Sequence, residues 1–213
     1  MEINLSNLAI LLCVSYLAGS IPAAVWIGKG FYGIDVREHG SGNAGSTNVY
    51  RILGAKAGVA VQVIDILKGW FPVFLAGKLN IIGIDPQSVL IMQLIAGIVS
   101  VLGHVFPVFA GFKGGKGVNT LLGMMFGIHP FATTCSGLTF ICVLLSTKYV
   151  SLGSMLGALT FPFTLLILND SPNLLVYTGF IAFILIVITH RENIKRLMNG
   201  TESKANLFQK KTK

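Results

Sequence analysis

Five stretches of this chain contain no Asp, Glu, Lys or Arg: Ile3 to Gly28, Pro86 to Phe112, Gly117 to Thr147, Tyr149 to Asn169 and Ser171 to Thr189. Each is long enough for at least one membrane-crossing helix, which needs roughly 20 apolar residues at about 1.5 Å of rise apiece. A water-soluble domain cannot hold so many of them, because about 25% of its residues are charged. This chain is 53% hydrophobic and 11% charged. Lipid is therefore its main solvent. The chain opens with Met1 and Glu2, without the positive n-region of a cleavable signal, so the first stretch reads as a retained span.

The first, second, fourth and fifth stretches fit one helix apiece. The third is too long for one crossing and has His129 and Pro130 near its middle, where a helix breaks. Its flanks, Lys113 and Lys116 before and Lys148 after, carry the same sign, which asks for two crossings with a turn at His129-Pro130. A further span lies between Ala57 and Gly77. It contains Asp65 and Lys68, three residues apart and able to pair on one helix face. An intramembrane ionisable residue is a functional candidate; a charge-compensated structural pair is the slightly favoured reading. The expectation is an all-α bundle of seven transmembrane helices. The basic segments from Lys29 to Lys56, around Lys113, at Lys148 and from Arg191 onward then share one side, which the positive-inside rule makes the cytoplasm. The N-terminus is expected outside and the C-terminus inside. Residues 1–203 form one membrane domain, followed by a basic tail over 204–213 suited to anionic headgroups.

The balance of 16 Lys+Arg against 8 Asp+Glu does not point to nucleic acid, because the cations lie between apolar stretches rather than on a soluble basic face. Cys13, Cys135 and Cys142 each sit in an apolar run, with no CxxC, and read as small buried hydrophobes.

Three polar segments fall on the expected cytoplasmic side. The first runs from Gly40 through Ser41, Gly42, Asn43, Ala44, Gly45, Ser46 and Thr47 to Asn48, with Arg51 beyond. Its formal GxGxxG is not a dinucleotide fingerprint, which needs a preceding buried strand and a parallel sheet. Glycines nonetheless let backbone N–H groups approach an anion, Ser, Thr and Asn add donors, and Arg51 offers a two-pronged phosphate contact. An ordinary Gly/Asn loop is the equal alternative. The second joins Gly103-His104-Val105-Phe106-Pro107 to Phe112-Lys113-Gly114-Gly115-Lys116-Gly117. It lacks Walker A spacing, but two lysines in a glycine-rich turn before a helix make a good anion site. One lysine would suffice as a membrane-side anchor, so the glycines favour function. The third is His190-Arg191-Glu192-Asn193, then Gly200 and Glu202. Arg191, Lys195 and Arg196 suit a helix end snorkelling to headgroups, whereas His190 and Asn193, on one face, need another reason. Ser151 and Ser154 share a face nearby and suit either a polar pocket or helix packing. Several cationic glycine-rich loops on one side fit two or more phosphate-bearing groups.

Together, Ser41 to Asn48 with Arg51, Gly103 to Pro107 with Phe112 to Val118, and His190 to Asn193 with Gly200 and Glu202 resemble the three motifs of the bacterial acyl-phosphate glycerol-3-phosphate acyltransferases. Order, spacing and chain length fit, and the resemblance covers nearly the whole chain. Ser46 and Asn119 depart from the pattern, standing where alanine is commoner. The resemblance implies seven helices in the bacterial inner membrane, a cytoplasm-facing site and no metal or nucleotide cofactor. It implies transfer of a fatty acyl group from acyl phosphate to glycerol 3-phosphate, giving 1-acyl-glycerol 3-phosphate and phosphate, with no acyl carrier protein or acyl-CoA required. No histidine here begins the HxxxxD pair of thioester-using acyltransferases.

An acyl phosphate is already activated, so the expected work is to position two anions and stabilise developing charge. Ser41, Arg51 and Lys116 are assigned to phosphate, with Gly42, Lys113 and the backbone N–H groups of Gly114 and Gly115 assisting. Asn43, Thr47, Asn48, His190 and Asn193 are assigned to glycerol 3-phosphate, and His104 and Ser154 line the site. The proton acceptor is His190 or the departing phosphate, with the phosphate favoured because no carboxylate partner for His190 is evident. A transporter of a phosphorylated metabolite is the competing class, but transporters bind near the midplane and often show a repeat.

Overall fold

The computed structural model describes residues 5–78, 85–169 and 171–205, and every regular element among them is a helix. The chain forms two compact units, Met1–Pro130 and Phe131–Lys213.

The first unit opens with α1 (Leu5–Gly19) and α2 (Ala23–Tyr32), bent by 43° at the three residues between them. The expected single helix from Ile3 to Gly28 is thus a broken one. Pro22 explains the break: it lacks an N–H and drives Ile21 out of the helical region. The Ile21 carbonyl accepts from Lys68 Nζ at 2.8 Å. Lys68 comes from α4 (Ala55–Lys78), where it pairs with Asp65 at 2.8 Å as the spacing predicts. This buried pair has a structural task, since it ties α4 to the joint between α1 and α2.

The amphipathic α3 (Ser46–Leu53) precedes α4, and α5 (Pro86–Val105) and α6 (Val118–Ile128) complete the unit. Glycines set the spacing between these helices. A Cβ at Gly69 would collide with the Thr120 carbonyl, and one at Gly123 with the Ile66 carbonyl, so α4 and α6 touch backbone to backbone. Gly19 against Ser100 and Gly103 against Tyr16 do the same for α1 and α5. Small residues draw helices together where lipid removes most of the hydrophobic driving force. Ser100 Oγ donates to the Lys68 carbonyl at 2.7 Å and fixes α5 on α4.

In the second unit, α7 (Pro130–Thr147) is followed by α8 (Val150–Leu168), α9 (Asn173–Thr189) and α10 (Arg191–Met198), the last two bent by 63° at His190. The expected break at His129-Pro130 is present: α6 stops at Ile128 and Pro130 opens α7. Lys204 Nζ lies 5.7 Å above the Tyr149 ring, and the Ala205 N–H donates to the Lys148 carbonyl at 2.7 Å. The rest of the expected basic tail, and Asp170 in the loop before α9, lie outside the described residues.

Among the described residues, four helices are long and apolar enough to cross a membrane, or up to six with each bent pair as one span. The seventh apolar helix of the expected set is α6. Its 11 residues reach only about 16 Å against a hydrocarbon core of about 30 Å.

Candidate active site

The first polar segment is a loop leading into α3, seated on a small core of Val36, Ala44 and Val49 with Ala57 and Val61 of α4. Asn48 organises it. The side chain is 2% exposed. Its Oδ1 accepts the Ser41 N–H at 2.9 Å, and its Nδ2 donates to the Val36 and His39 carbonyls at 2.9 and 3.0 Å. A buried amide with both ends committed to main chain acts as a staple, a structural task beside the substrate role expected of Asn48. Gly40 has a φ of 61°, and a Cβ there would strike Asn48 Oδ1. The staple therefore leaves Ser41 and Gly42 exposed, with Asn43 half-buried. Thr47 and Arg51, four residues apart, share one face of α3; Thr47 is half-buried and Arg51 exposed.

A cation that sequence reasoning passed over joins this loop to the second. Arg37 donates to Asp35 through Nε at 3.0 Å and Nη2 at 2.7 Å, and through Nη1 to the Ala110 carbonyl at 2.8 Å. Lys29 lies 3.1 Å from the same carboxylate. The Arg37 side-chain hydrogen bond holds the Asp35 carboxyl well below the usual range, outweighing burial, with the Arg37 N–H and Lys29 assisting. Asp35 in turn raises Arg37.

The second loop differs from expectation in its glycines. The Gly114 N–H donates to the Val105 carbonyl at 3.2 Å, and the Gly115 N–H to the His104 carbonyl at 3.3 Å. These groups close the loop onto carbonyls left over at the end of α5, where the spacing suggested phosphate donors. Their lack of a side chain is what the loop uses. A Cβ at Gly114 would strike the His104 carbonyl; one at Gly115 would strike the His104 ring and come within 3.3 Å of the Ala44 carbonyl. The two glycine-rich loops therefore lie against each other. His104 is buried, its Nδ1 3.6 Å from Asp65 Oδ1, and a Cβ on Gly114 or Gly115 would strike it. Lys113 is exposed and Lys116 half-buried.

In the second unit, His190 sits at the joint of α9 and α10, buried, with Nδ1 2.8 Å from the Ile186 carbonyl. A carbonyl can only accept, so Nδ1 carries a proton and donates it there. Asn193 Nδ2 and Ser151 Oγ both donate to Glu202 Oε1 at 2.7 Å, and Arg196 Nε donates to Oε2 at 2.8 Å. Burial pushes the Glu202 carboxyl up, but the donors Asn193, Arg196 and Ser151 outweigh it and hold the group below its ordinary value. Sequence reasoning gave Glu202 no task. The available signal was an acid in a mainly basic segment, two residues after Gly200, whose φ of 68° turns the chain back. Ser154 Oγ bonds back to the Val150 carbonyl at 3.0 Å, the helix-packing alternative for that residue. Among the described residues, no group of three or more His, Cys, Asp or Glu is arranged to hold a metal.

The family model for Glycerol-3-phosphate acyltransferase matches residues 9–200. The chain belongs to this glycerol-3-phosphate acyltransferase family. It is 41% identical to the Glycerol-3-phosphate acyltransferase of Salinibacter ruber, over 95% of this chain and 94% of that one. It is 43% identical to Glycerol-3-phosphate acyltransferase 2 of Bacillus anthracis, over 91% and 96% respectively. Among solved structures, it is similar to PlsY (YgiH), an integral membrane glycerol 3-phosphate acyltransferase, in its glycerol 3-phosphate form. That match has a TM-score of 0.82 and 39% identity, over 95% of this chain and 99% of the other. The match to the lysophosphatidic acid form has a TM-score of 0.79. The solved relatives are thus integral membrane acyltransferases, and the family match spans the glycine-rich loops, α3 and the His190–Asn193 segment.

Proposed function

We propose that this protein transfers a fatty acyl group from acyl phosphate to the 1-hydroxyl of glycerol 3-phosphate, giving lysophosphatidate and phosphate in bacterial phospholipid synthesis. It works as a seven-span protein of the inner membrane, N-terminus outside, C-terminus and active site toward the cytoplasm. Acyl carrier protein and acyl-CoA play no part.

The observation that carries this reading is the closeness of two glycine-rich loops, one leading to Arg51 and the other carrying Lys113 and Lys116: a Cβ added at Gly115 would meet the Ala44 carbonyl, and Arg37 donates to the Ala110 carbonyl. Loops so joined suit the phosphates of donor and acceptor, which repel each other in solution. In the proposed mechanism Ser41, Arg51 and Lys116 hold phosphate, with Gly42 and Lys113 assisting. Asn43, Thr47, His190 and Asn193 orient glycerol 3-phosphate. Asn48, His104, Gly114 and Gly115 shape the loops, and Ser154 packs beside Ser151. The 1-hydroxyl oxygen attacks the acyl carbon, the bond from that carbon to the phosphate oxygen breaks, and the departing phosphate takes the hydroxyl proton. His190 Nε2 accepts a hydrogen bond from the acceptor and aims it. Orientation and preformed cation contacts supply the rate.

The test is purified protein in lipid with palmitoyl phosphate and labelled glycerol 3-phosphate, beside Arg51→Ala and Lys116→Ala. Labelled lysophosphatidate from the wild type alone is expected. No product from folded wild type would reject the reaction and favour transport, which flux into vesicles would detect.

A further inference from the structure

Asn119 Nδ2 donates to Ser46 Oγ at 2.8 Å, a side chain to side chain bond between residues 73 apart in sequence. Ser46 is the first residue of α3, and Asn119 is the second of α6. Both side chains are half-buried, and neither belongs to the apolar core that seats the first loop. The bond completes a chain of contacts. Asn48 holds the Ser41 loop on α3, Ser46 holds α3 on α6, and Lys116 lies three residues before Asn119. Without this bond α3 retains its seat on α4 and its hold on Ser41, and loses the side-chain tie between its first residue and α6.

We propose that Ser46 and Asn119 are a positioning pair: their hydrogen bond sets the spacing between the Arg51 helix and the Lys116 loop, and with it the affinity for the phosphate-bearing acceptor. The proposal rests on the reading of Arg51 and Lys116 as phosphate contacts. Neither Ser46 nor Asn119 touches the reacting atoms. Their effect passes through the helices that carry the cations, so it falls on KM for glycerol 3-phosphate more than on kcat.

The experiment is a double-mutant cycle of Ser46→Ala, Asn119→Ala and the pair together, assayed with palmitoyl phosphate at saturation and glycerol 3-phosphate varied. Each single change should raise KM by about three- to tenfold, the value of one partly buried hydrogen bond, with kcat within about twofold. The pair should be no worse than either single change, because the same bond is lost once. Thermal unfolding supplies the readout of a merely structural role. Asn119→Ala improves the helix propensity of an early α6 position, so its midpoint should hold or rise while KM worsens. Losses that multiply in the double variant, an unchanged KM in both single variants, or a KM that rises only as the unfolding midpoint falls would each overturn the pair. Absence of turnover by the wild type would overturn the acyltransfer reading itself, a separate outcome read before any variant.

Discussion

In the second unit, Ser151, Asn193 and Arg196 all donate to the Glu202 carboxylate. Its side chain is 3% exposed, against 43% for Arg196. Replacing it tests whether that convergence is structural. Glu202→Ala leaves Ser151 Oγ and Asn193 Nδ2 buried without their acceptor. Charge-assisted bonds contribute about 1.5–3 kcal/mol each, so the loss should be about 3–5 kcal/mol. The exposed Arg196 pair adds at most about 1 kcal/mol. Glu202→Gln is the discriminating partner. Its Oε1 can still accept from Ser151 and Asn193, whereas its amide nitrogen faces the Arg196 donor, so about 1–2 kcal/mol should be lost. For a domain of this size roughly 2–4 °C accompanies each kcal/mol. Thermal unfolding in detergent, followed by circular dichroism, should therefore place the variants in the order wild type, Gln, Ala, with Ala at least about 6 °C below wild type. An Ala variant that melts with the wild type would refute the structural reading of Glu202. A Gln variant as unstable as Ala would shift the weight from the two buried donors to Arg196.

The Glu202 carboxyl lies below its ordinary value in the folded protein, so its stabilisation is complete above roughly pH 4.3, the unfolded value, and fades as pH falls through the lower folded one. The difference in melting between wild type and Glu202→Gln should hold from pH 7 to 5 and shrink in stronger acid; a difference that is already gone at pH 5 would contradict the shift. Lys68→Met should be strongly destabilising, by about 3–5 kcal/mol, because Asp65 is left buried and uncompensated, while Asp65→Asn with Lys68→Met should recover most of the loss; unfolding midpoints of the three variants decide it. Asn48→Ala should cut kcat/KM by tenfold or more while leaving thermal stability within about 3 kcal/mol, the value of its buried bonds; an unchanged rate would separate Asn48 from the Ser41 loop. His190→Ala should retain measurable turnover if the departing phosphate takes the proton, and loss to background with glycerol 3-phosphate still bound would return the proton to His190.

Membrane class and helical content were legible in the chain because they depend on local quantities. A stretch without charge from Pro86 to Phe112 has few alternatives in lipid, where backbone groups must be satisfied within the segment. The break at His129-Pro130 and the pairing of Asp65 with Lys68 were equally local, one from proline geometry and one from helical spacing. The break before Pro22 carried the same proline signal within an apolar run that otherwise suits one span. The three polar motifs were visible as residue types at fixed offsets, and they identified the family.

The tertiary structure alone decided which polar groups remain available. Asn48 and Asn43 are the same residue type in one loop, yet Asn48 is consumed as a staple because folding brings the Val36 and His39 carbonyls to it. The N–H groups of Gly114 and Gly115 are taken by the end of α5, an outcome set by the chain reversal after Val105. Glu202 acquired its task only when the turn at Gly200 returned it to Ser151, a partner 51 residues distant. Sequence determines which side chains can bind an anion or hold a proton. The positions of the other donors and acceptors determine which of them are already satisfied, and those positions exist only once the chain has closed on itself.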